Sequence, residues 1–389
     1  MDFTLSEEQQ QLYKSLVAFA RDVVEPEAGA RDKEGRFDRV VWDACGEVGL
    51  TGICISEEYG GGGAGALDTG LALEALAYGG HDAGLGLSMG AHLVIGSKPI
   101  DLHGTSEQKA KYLPKLASGE WIGAFGITEP DAGSDTASLT SRGVRDGDHW
   151  ILNGTKTFIT NGPVCDVFTV VVRTDPDASA GAGMTAFVLD ADTPGLSVGP
   201  PDRKMGQRGA KTADVIFQDC RVPASAIIGG IAGRGFATAM KVLDRGRLHI
   251  SAVCVGAAER LLNDALTFAM TRRQFGAPIA EFQLIQAMLA DSRTELYAAK
   301  SMVTDAARRR DAGEAVSLEA SCCKLFCSEM VGRIADRAVQ IHGGAGYMSD
   351  YPVERFYRDV RLFRLYEGTS QIQQLVIARN MIRKHQDEL

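Results

Sequence analysis

The sequence predicts a mainly helical α+β protein: an N-terminal helical domain, a middle antiparallel β-domain and a C-terminal four-helix bundle. Three observations carry this expectation. Apolar residues recur at helical spacing up to about residue 120, short β-rich runs replace them over 121–232, and long helical patterns resume from Gly233. The expected domains are therefore 1–120, 121–232 and 233–389.

In the first region, Ser6-Glu7-Glu8-Gln9 reads as a capping box, the Ser oxygen taking an orphan amide while Gln9 reaches back. Leu12, Leu16, Phe19, Ala20 and Val23 follow at helical spacing. Gly60 to Gly63 mark a mobile or tightly turned link, and Ala66–Ala77 and Ser106–Leu116 read as further helices. In the middle region, Trp150 to Phe158 alternates around Asn153-Gly154, a pair that tolerates positive φ and signals a hairpin. Val167–Val172, Met184–Leu189 and Val215–Phe217 are β-rich runs separated by Gly, Pro and Asp. In the last region Leu261, Ala265, Phe268 and Ala269 share one helical face, as do Ile285, Met288, Leu289 and Leu296, and Lys324–Ile341 continues the pattern. Long helices joined by short turns make a bundle.

The 389 residues, 45% hydrophobic and 23% charged, have the composition of an ordinary globular protein with two to three domains. A net charge of -9 argues against non-specific binding to nucleic acid or a membrane surface. An anionic ligand would need its own cluster of Arg and Lys. The first residues, MDFTLSEEQQ, lack a basic segment followed by an apolar run. No charge-free apolar stretch reaches ~18 residues, so neither a secretory signal nor a membrane span is expected, and the expected location is cytoplasmic. Eight cysteines occur without a Cys-x-x-Cys pair. Cys322, Cys323 and Cys327 cluster on a helical pattern, which reads as reduced core cysteines, and no metal site is expected.

Four segments have residue types suited to chemistry. Thr128-Glu129-Pro130-Asp131-Ala132-Gly133-Ser134-Asp135 can form a turn whose hydroxyls face a ligand, although an ordinary polar turn has the same composition. Phe158-Ile159-Thr160-Asn161-Gly162 could stack on a flat ring and bond its edge; by itself it also fits a hairpin strand with a core Phe. Arg272-Arg273-Gln274-Phe275-Gly276 and Gln340-Ile341-His342-Gly343-Gly344-Ala345-Gly346-Tyr347 pair guanidinium groups suited to pyrophosphate with glycines that permit close approach. The Gly-x-Gly follows a helix, so it is no Rossmann fingerprint, and a helix C-cap would also account for it. In Tyr366-Glu367-Gly368-Thr369-Ser370-Gln371-Ile372, a buried Glu367 would have a raised pKa suited to a general base; a surface Glu is the commoner case.

Taken in order and at these separations, the four segments resemble the acyl-CoA dehydrogenase family over essentially the whole chain. The resemblance implies FAD bound between subunits of a homotetramer. Phe125, Ile127, Thr128, Gly133 and Ser134 would line one flavin wall, Phe158 would cover the ring, Ile159 would be a further cofactor contact, and Thr160 would bond near N5. Many relatives have Trp where this chain has Phe158. A neighbouring subunit's Arg272, Gln274 and Phe275 match pyrophosphate contacts, Gln340, Gly343 and Gly344 match dinucleotide contacts, and Thr369 and Gln371 follow the base. Glu367 matches the catalytic base, and Ser134, Asp244, Arg247, Tyr366 and Gly368 match substrate contacts. Members with the base elsewhere have Glu where this chain has Gly246, which disfavours the isovaleryl type.

The implied reaction converts acyl-CoA to trans-2-enoyl-CoA in fatty-acid β-oxidation, with an electron-transfer flavoprotein as acceptor. Gly90 and Ala91 leave room for a deep acyl pocket, which favours medium-to-long linear chains over short or branched ones. An oxidase would have a large C-terminal extension, and a nitroalkane-oxidising relative would have Asp at 367. A non-catalytic assembly relative is the alternative from another class.

Overall fold

The computed structural model describes residues 3–178 and 181–387. It is mainly helical, with a middle β-domain between two helical regions. The described residues of the first region form seven α-helices: α1 Glu7–Phe19, α2 Ala28–Glu34, α3 Arg39–Glu47, α4 Ala66–Gly80, α5 Ala83–Gly90, α6 Lys98–His103 and α7 Ser106–Ser118. The capping box at α1 forms as expected: Gln9 N donates to Ser6 Oγ at 3.1 Å, and Ser6 N donates to Gln9 Oε1 at 3.1 Å. The glycines at 60–63 are tightly turned. A Cβ on Gly61 would lie 2.2 Å from the Ile55 carbonyl oxygen, so only glycine fits this close backbone approach.

α4 is apolar on nearly every side and is correspondingly enclosed, with Leu71, Leu73 and Leu76 at most 4% exposed. Between α5 and α6 the chain winds through a wide π turn, Ala91–Ser97. His92 locks this turn in place. Its Nε2 lies 3.0 Å from the Thr51 and Leu116 carbonyls, and its Nδ1 accepts from Gly123 N at 3.0 Å. Burial lowers its pKa to about 4, against the help of those two carbonyls, so the ring stays neutral.

The middle domain is one seven-stranded sheet: β1 Gly123–Gly126, β2 Arg142–Asp146, β3 His149–Thr160, β4 Val167–Arg173, β5 Met184–Asp190, β6 Leu196–Val198 and β7 Thr212–Pro223. The order is β1-β4-β2-β3-β7-β6, with β5 on β4. The ladder is mostly antiparallel, but β1 runs parallel to β4, and β2 meets β4 in parallel at Arg142 and Arg173. Asn153-Gly154 is not a hairpin turn. It lies inside β3 at a register shift, and the β2–β3 reversal falls at Gly147, with φ 57°. The pair serves the sheet interior instead: Asn153 Nδ2 donates to Asp219 Oδ1 at 3.1 Å, and a Cβ on Gly154 would lie 2.7 Å from Ser141 Cα.

The C-terminal region contains four long helices, α8 Gly235–Thr271, α9 Gln283–Asp311, α10 Ser317–His342 and α12 Ser370–Asp387, with the short α11 Pro352–Val360 between the last two. A small hairpin, β8 Arg273–Gln274 with β9 Ala277–Pro278, joins α8 to α9. The middle of α8, Leu248 to Ala258, is buried throughout and packs against α4, α9 and α10. α9 and α12 are less covered: Leu284 is 82% exposed and Tyr297 68%, and α12 buries only Ser370 and Gln373. No described helix is long and apolar enough to cross a membrane.

Gly154→Val should cost about 2 kcal/mol through this steric conflict, read as a lower midpoint of chemical denaturation. An unchanged midpoint would show that the Ser141 contact can relax freely.

Candidate active site

A cleft of about 580 Å³ opens where all three regions meet. Its walls come from α5 and the π turn (Leu87, Ala91, Ile95), from α8 (Met240, Leu243, Arg247, Ile250), from the middle domain, and from the turn leading into α12.

The middle-domain wall is shaped by a buried ion pair. Lys156 Nζ lies 2.7 Å from Glu129 Oε1, and both side chains are almost wholly buried. Glu129 Oε2 also accepts from Thr140 N at 2.7 Å and Thr140 Oγ1 at 2.9 Å, and Oε1 accepts from Ser141 N at 3.0 Å. Burial raises the proton affinity of Glu129, but Lys156 and these donors outweigh it and hold the pKa at about 2. The Glu129–Ala132 turn is thereby fixed, and it presents Thr128, Gly133 and Ser134 to the cleft. Thr157 N donates to the Thr128 carbonyl at 2.9 Å and ties this turn to β3.

β3 breaks register between Lys156 and Ile159. Phe158, at φ 58°, is turned out of the ladder by this irregularity and lies 69% exposed on the cleft wall, beside Ile159 and Thr160. An aromatic ring held in a strained backbone and left uncovered is suited to stacking on a flat ligand. Phe125 and Ile127 complete this wall.

The opposite wall is the turn at 366–368. Glu367 and Gly368 are successive left-handed residues, with φ 54° and 90°. Their carbonyls are pinned from behind: Gln373 Nε2 donates to both, at 3.0 and 3.2 Å. Thr369 Oγ1 accepts from Ile372 N at 3.2 Å and starts α12. Among the described residues no group accepts from the Glu367 N–H. One carboxyl oxygen, Oε2, is sealed from solvent and has no partner, while the side chain as a whole is half-buried on the cleft wall. Burial raises its pKa to about 7, opposed by the charges of Lys324 and then Arg247. The carboxyl lies directly over Gly246 of α8, where a Cβ would stand 2.5 Å from Oε2. Asp244, one turn away, bonds Arg247 Nη1 at 2.6 Å and leaves Arg247 Nε buried without a partner. The Tyr366 hydroxyl is likewise buried and unpaired.

The cleft thus gathers Phe125, Ile127, Thr128, Gly133, Ser134, Phe158, Ile159, Thr160, Arg247, Tyr366, Glu367 and Gly368. The other expected site residues do not line it. Asp244 acts through Arg247. Arg272, Gln274 and Phe275 lie on the exposed β8–β9 hairpin, with Phe275 95% exposed. Gln340, Gly343 and Gly344 lie exposed at the end of α10, and Thr369 and Gln371 open α12 on the far side of the turn. Gly90 is buried but does not line the cleft. The sequence reading missed the apolar α5, α8 and α12 residues and Arg379, because core and pocket residues follow the same helical period. The steric role of Gly246 also has no local signal.

Gly246→Ala should displace the Glu367 carboxyl by roughly an ångström and lower turnover by about 100-fold while leaving the helical circular dichroism intact. Turnover at the wild-type rate would show that the carboxyl needs no such fit.

The comparisons agree with this architecture. The acyl-CoA dehydrogenase N-terminal, middle and C-terminal domains match residues 6–120, 124–220 and 233–382. The chain is 40% identical to the probable acyl-CoA dehydrogenase YngJ of Bacillus subtilis, over 98% of this chain and 100% of that protein. It superposes with TM-score 0.94 and 37% identity on butyryl-CoA dehydrogenase from Megasphaera elsdenii, covering 98% of this chain and 100% of that one. A chain from a structure of the electron transferring flavoprotein of Acidaminococcus fermentans matches with TM-score 0.95 and 40% identity, covering 98% of this chain and 100% of that one. With all three domains matched in order and relatives aligned end to end, the chain belongs to the acyl-CoA dehydrogenase family.

Proposed function

We propose that this protein oxidises acyl-CoA thioesters to trans-2-enoyl-CoA with FAD as its redox group and Glu367 as the base. The observation that carries the reading is the turn at 367, which joins a cleft-lining carboxyl of pKa about 7 to an unengaged backbone N–H. A thioester Cα–H is only weakly acidic. Its removal needs a base near neutrality and a donor for the carbonyl oxygen as charge develops there. Glu367 offers both, the carboxylate to take the α-proton and the N–H to hold the oxygen. Arg247, steadied by Asp244, faces the same space, and Ser134, Tyr366 and Gly368 bound it on the substrate side.

The uncovered Phe158 ring, Thr160 and the Thr128–Ser134 turn fit a flavin, with Phe125, Ile127, Gly133 and Ile159 on the same wall. When bound, FAD supplies the acceptor for the β-hydrogen as hydride. Arg272, Gln274, Phe275, Gln340, Gly343, Gly344, Thr369 and Gln371, which lie outside this cleft, would serve the flavin of a second copy in a homotetramer. The 95% exposure of Phe275 supports that reading. An electron-transfer flavoprotein is the proposed acceptor, supported by the likeness to the Acidaminococcus chain.

For the acyl group we favour medium-to-long linear chains, as in β-oxidation. Gly90 is buried, yet a Cβ there would meet nothing within 4 Å, which leaves unfilled space behind the Leu87–Ala91 wall. The likeness to a butyryl-CoA dehydrogenase favours a short-chain preference as the second reading. Anaerobic bleaching of the yellow protein with acyl-CoAs from butyryl to palmitoyl tests the activity and separates these readings. Failure to bleach with any thioester would favour a non-catalytic assembly role. Gly90→Leu should lower kcat/KM for palmitoyl-CoA relative to butyryl-CoA by tenfold or more; an unchanged ratio would favour the short-chain reading.

Glu367→Gln should cut turnover by about 10⁴-fold with FAD retained, and retained turnover would end the base assignment. Because the carboxylate is the active form, wild-type turnover should rise with pH through about 7. The stability effect has the opposite sense. Between the ordinary carboxyl value of 4.5 and about 7, the folded chain keeps a proton that the unfolded chain has lost, so stability falls as pH rises through that window. Glu367→Gln should therefore be more stable than wild type by about 3 kcal/mol at pH 8, with the gap below about 1 kcal/mol at pH 5. Equal denaturation midpoints at both pH values would contradict a raised Glu367 pKa.

A further inference from the structure

Three lysines have almost fully buried side chains, and two of them are neutralised by direct contact: Lys98 by Asp101 and Lys156 by Glu129. Lys324, in the second turn of α10, is 0% exposed and has no carboxylate within salt-bridge distance among the described residues. Its one hydrogen bond is to a backbone carbonyl, Nζ donating to Gly368 O at 2.7 Å. A buried ammonium without a counter-charge is costly, and a fold that pairs its other buried lysines had the same means available here.

The exception falls behind the catalytic turn. The charged and titratable groups around Lys324 come from every element packed there. Glu367 lies on the turn, Arg247 and the buried Cys254 on α8, and Glu329 on α10 itself. Glu329 is already taken by Arg364 and Ser370, at 2.9 and 2.7 Å, and Cys254 is held as a neutral thiol by its burial. Arg247 is paired with Asp244. The group left to feel the Lys324 charge is the Glu367 carboxyl.

We propose that Lys324 is a positioning residue for α-proton abstraction: its ammonium clamps the Gly368 carbonyl to hold the left-handed Glu367–Gly368 turn, and its charge acts on the neighbouring Glu367 carboxyl. This rests on the reading of Glu367 as the base. The two effects of the lysine are separable. The clamp needs only a donor, which Gln can supply in part. The electrostatic effect needs a cation, which Arg retains and Met and Gln lack. Among the charges that oppose burial at Glu367, that of Lys324 is the larger and that of Arg247 the smaller, so its removal should raise the proton affinity of the base.

The test is an infrared titration of the holoenzyme, following the protonated carboxyl band that Glu367→Gln removes, in wild type, Lys324→Met, Lys324→Gln and Lys324→Arg. The midpoint should move up from about 7 by at least one pH unit in the Met and Gln variants, a tenfold change in proton affinity, and stay near wild type in Arg. The rising limb of the turnover profile should shift with it. If Lys324→Met does not fold, the Gln variant carries the comparison. Unshifted midpoints in the neutral variants, or an equal shift in the Arg variant, would overturn the proposal and leave Lys324 a packing residue. If Glu367→Gln keeps its turnover, the base assignment falls, while the titration still reports whether Lys324 acts on that carboxyl.

Discussion

The site depends on one close contact, the Glu367 carboxyl resting on the bare backbone of Gly246. A left-handed turn alone would leave the side chain free to choose among rotamers. α8, with its middle buried throughout, supplies at Gly246 a surface without a side chain, where a Cβ would stand 2.5 Å from Oε2. Burial against that surface raises the pKa of the group, and the contact limits the positions the carboxyl can take. Rigidity in α8 therefore sets the chemistry of a turn more than a hundred residues later in the chain.

The two walls of the cleft are built on the same principle from different materials. Phe158 and Glu367 both have positive φ, an unfavourable backbone for side chains of their size. Each is held by hydrogen bonds or ion pairs just outside the cleft: the Lys156–Glu129 pair behind the first, and Gln373 with Lys324 behind the second. The strain sits on the two residues that would face the ligand, and the neighbours that stabilise it are buried. This division keeps the ligand surface free of internal hydrogen bonds that substrate would have to break.

The sequence made the long helices and the helix–sheet–helix order legible, because the 3.6-residue period of Leu261, Ala265 and Ala269 survives any detail of packing. Glu367 was legible through its motif, and its environment was half legible through the apolar neighbours. Asn153-Gly154 misled because a dipeptide that permits positive φ is equally useful at a bulge, and only the approach of Ser141 decides between the two. The parallel pairing of β1 with β4 has no local pattern at all. Ala91 was picked out by its small size, but Leu87 and Ile95 have the spacing of ordinary core residues, and nothing in the chain before folding distinguishes such a residue facing a cleft from one facing another helix. Phe275 has the opposite problem: its motif marks it in the sequence, yet the fold leaves it exposed and outside the cleft.

The π turn at Ala91–Ser97 gives the cleft wall made by Leu87, Ala91 and Ile95 a particular evolutionary freedom. A π turn is an α-helix with one residue too many, accommodated without breaking the rod. The segment from α5 to α6 can therefore gain or lose a single residue there and rotate one half against the other by about 100°, exchanging which side chains face the cleft. The His92 bonds to Thr51, Leu116 and Gly123 anchor the turn to its surroundings while this happens. Pocket depth in such a scaffold can change by insertion and deletion as well as by substitution, a route closed to walls made of regular helix.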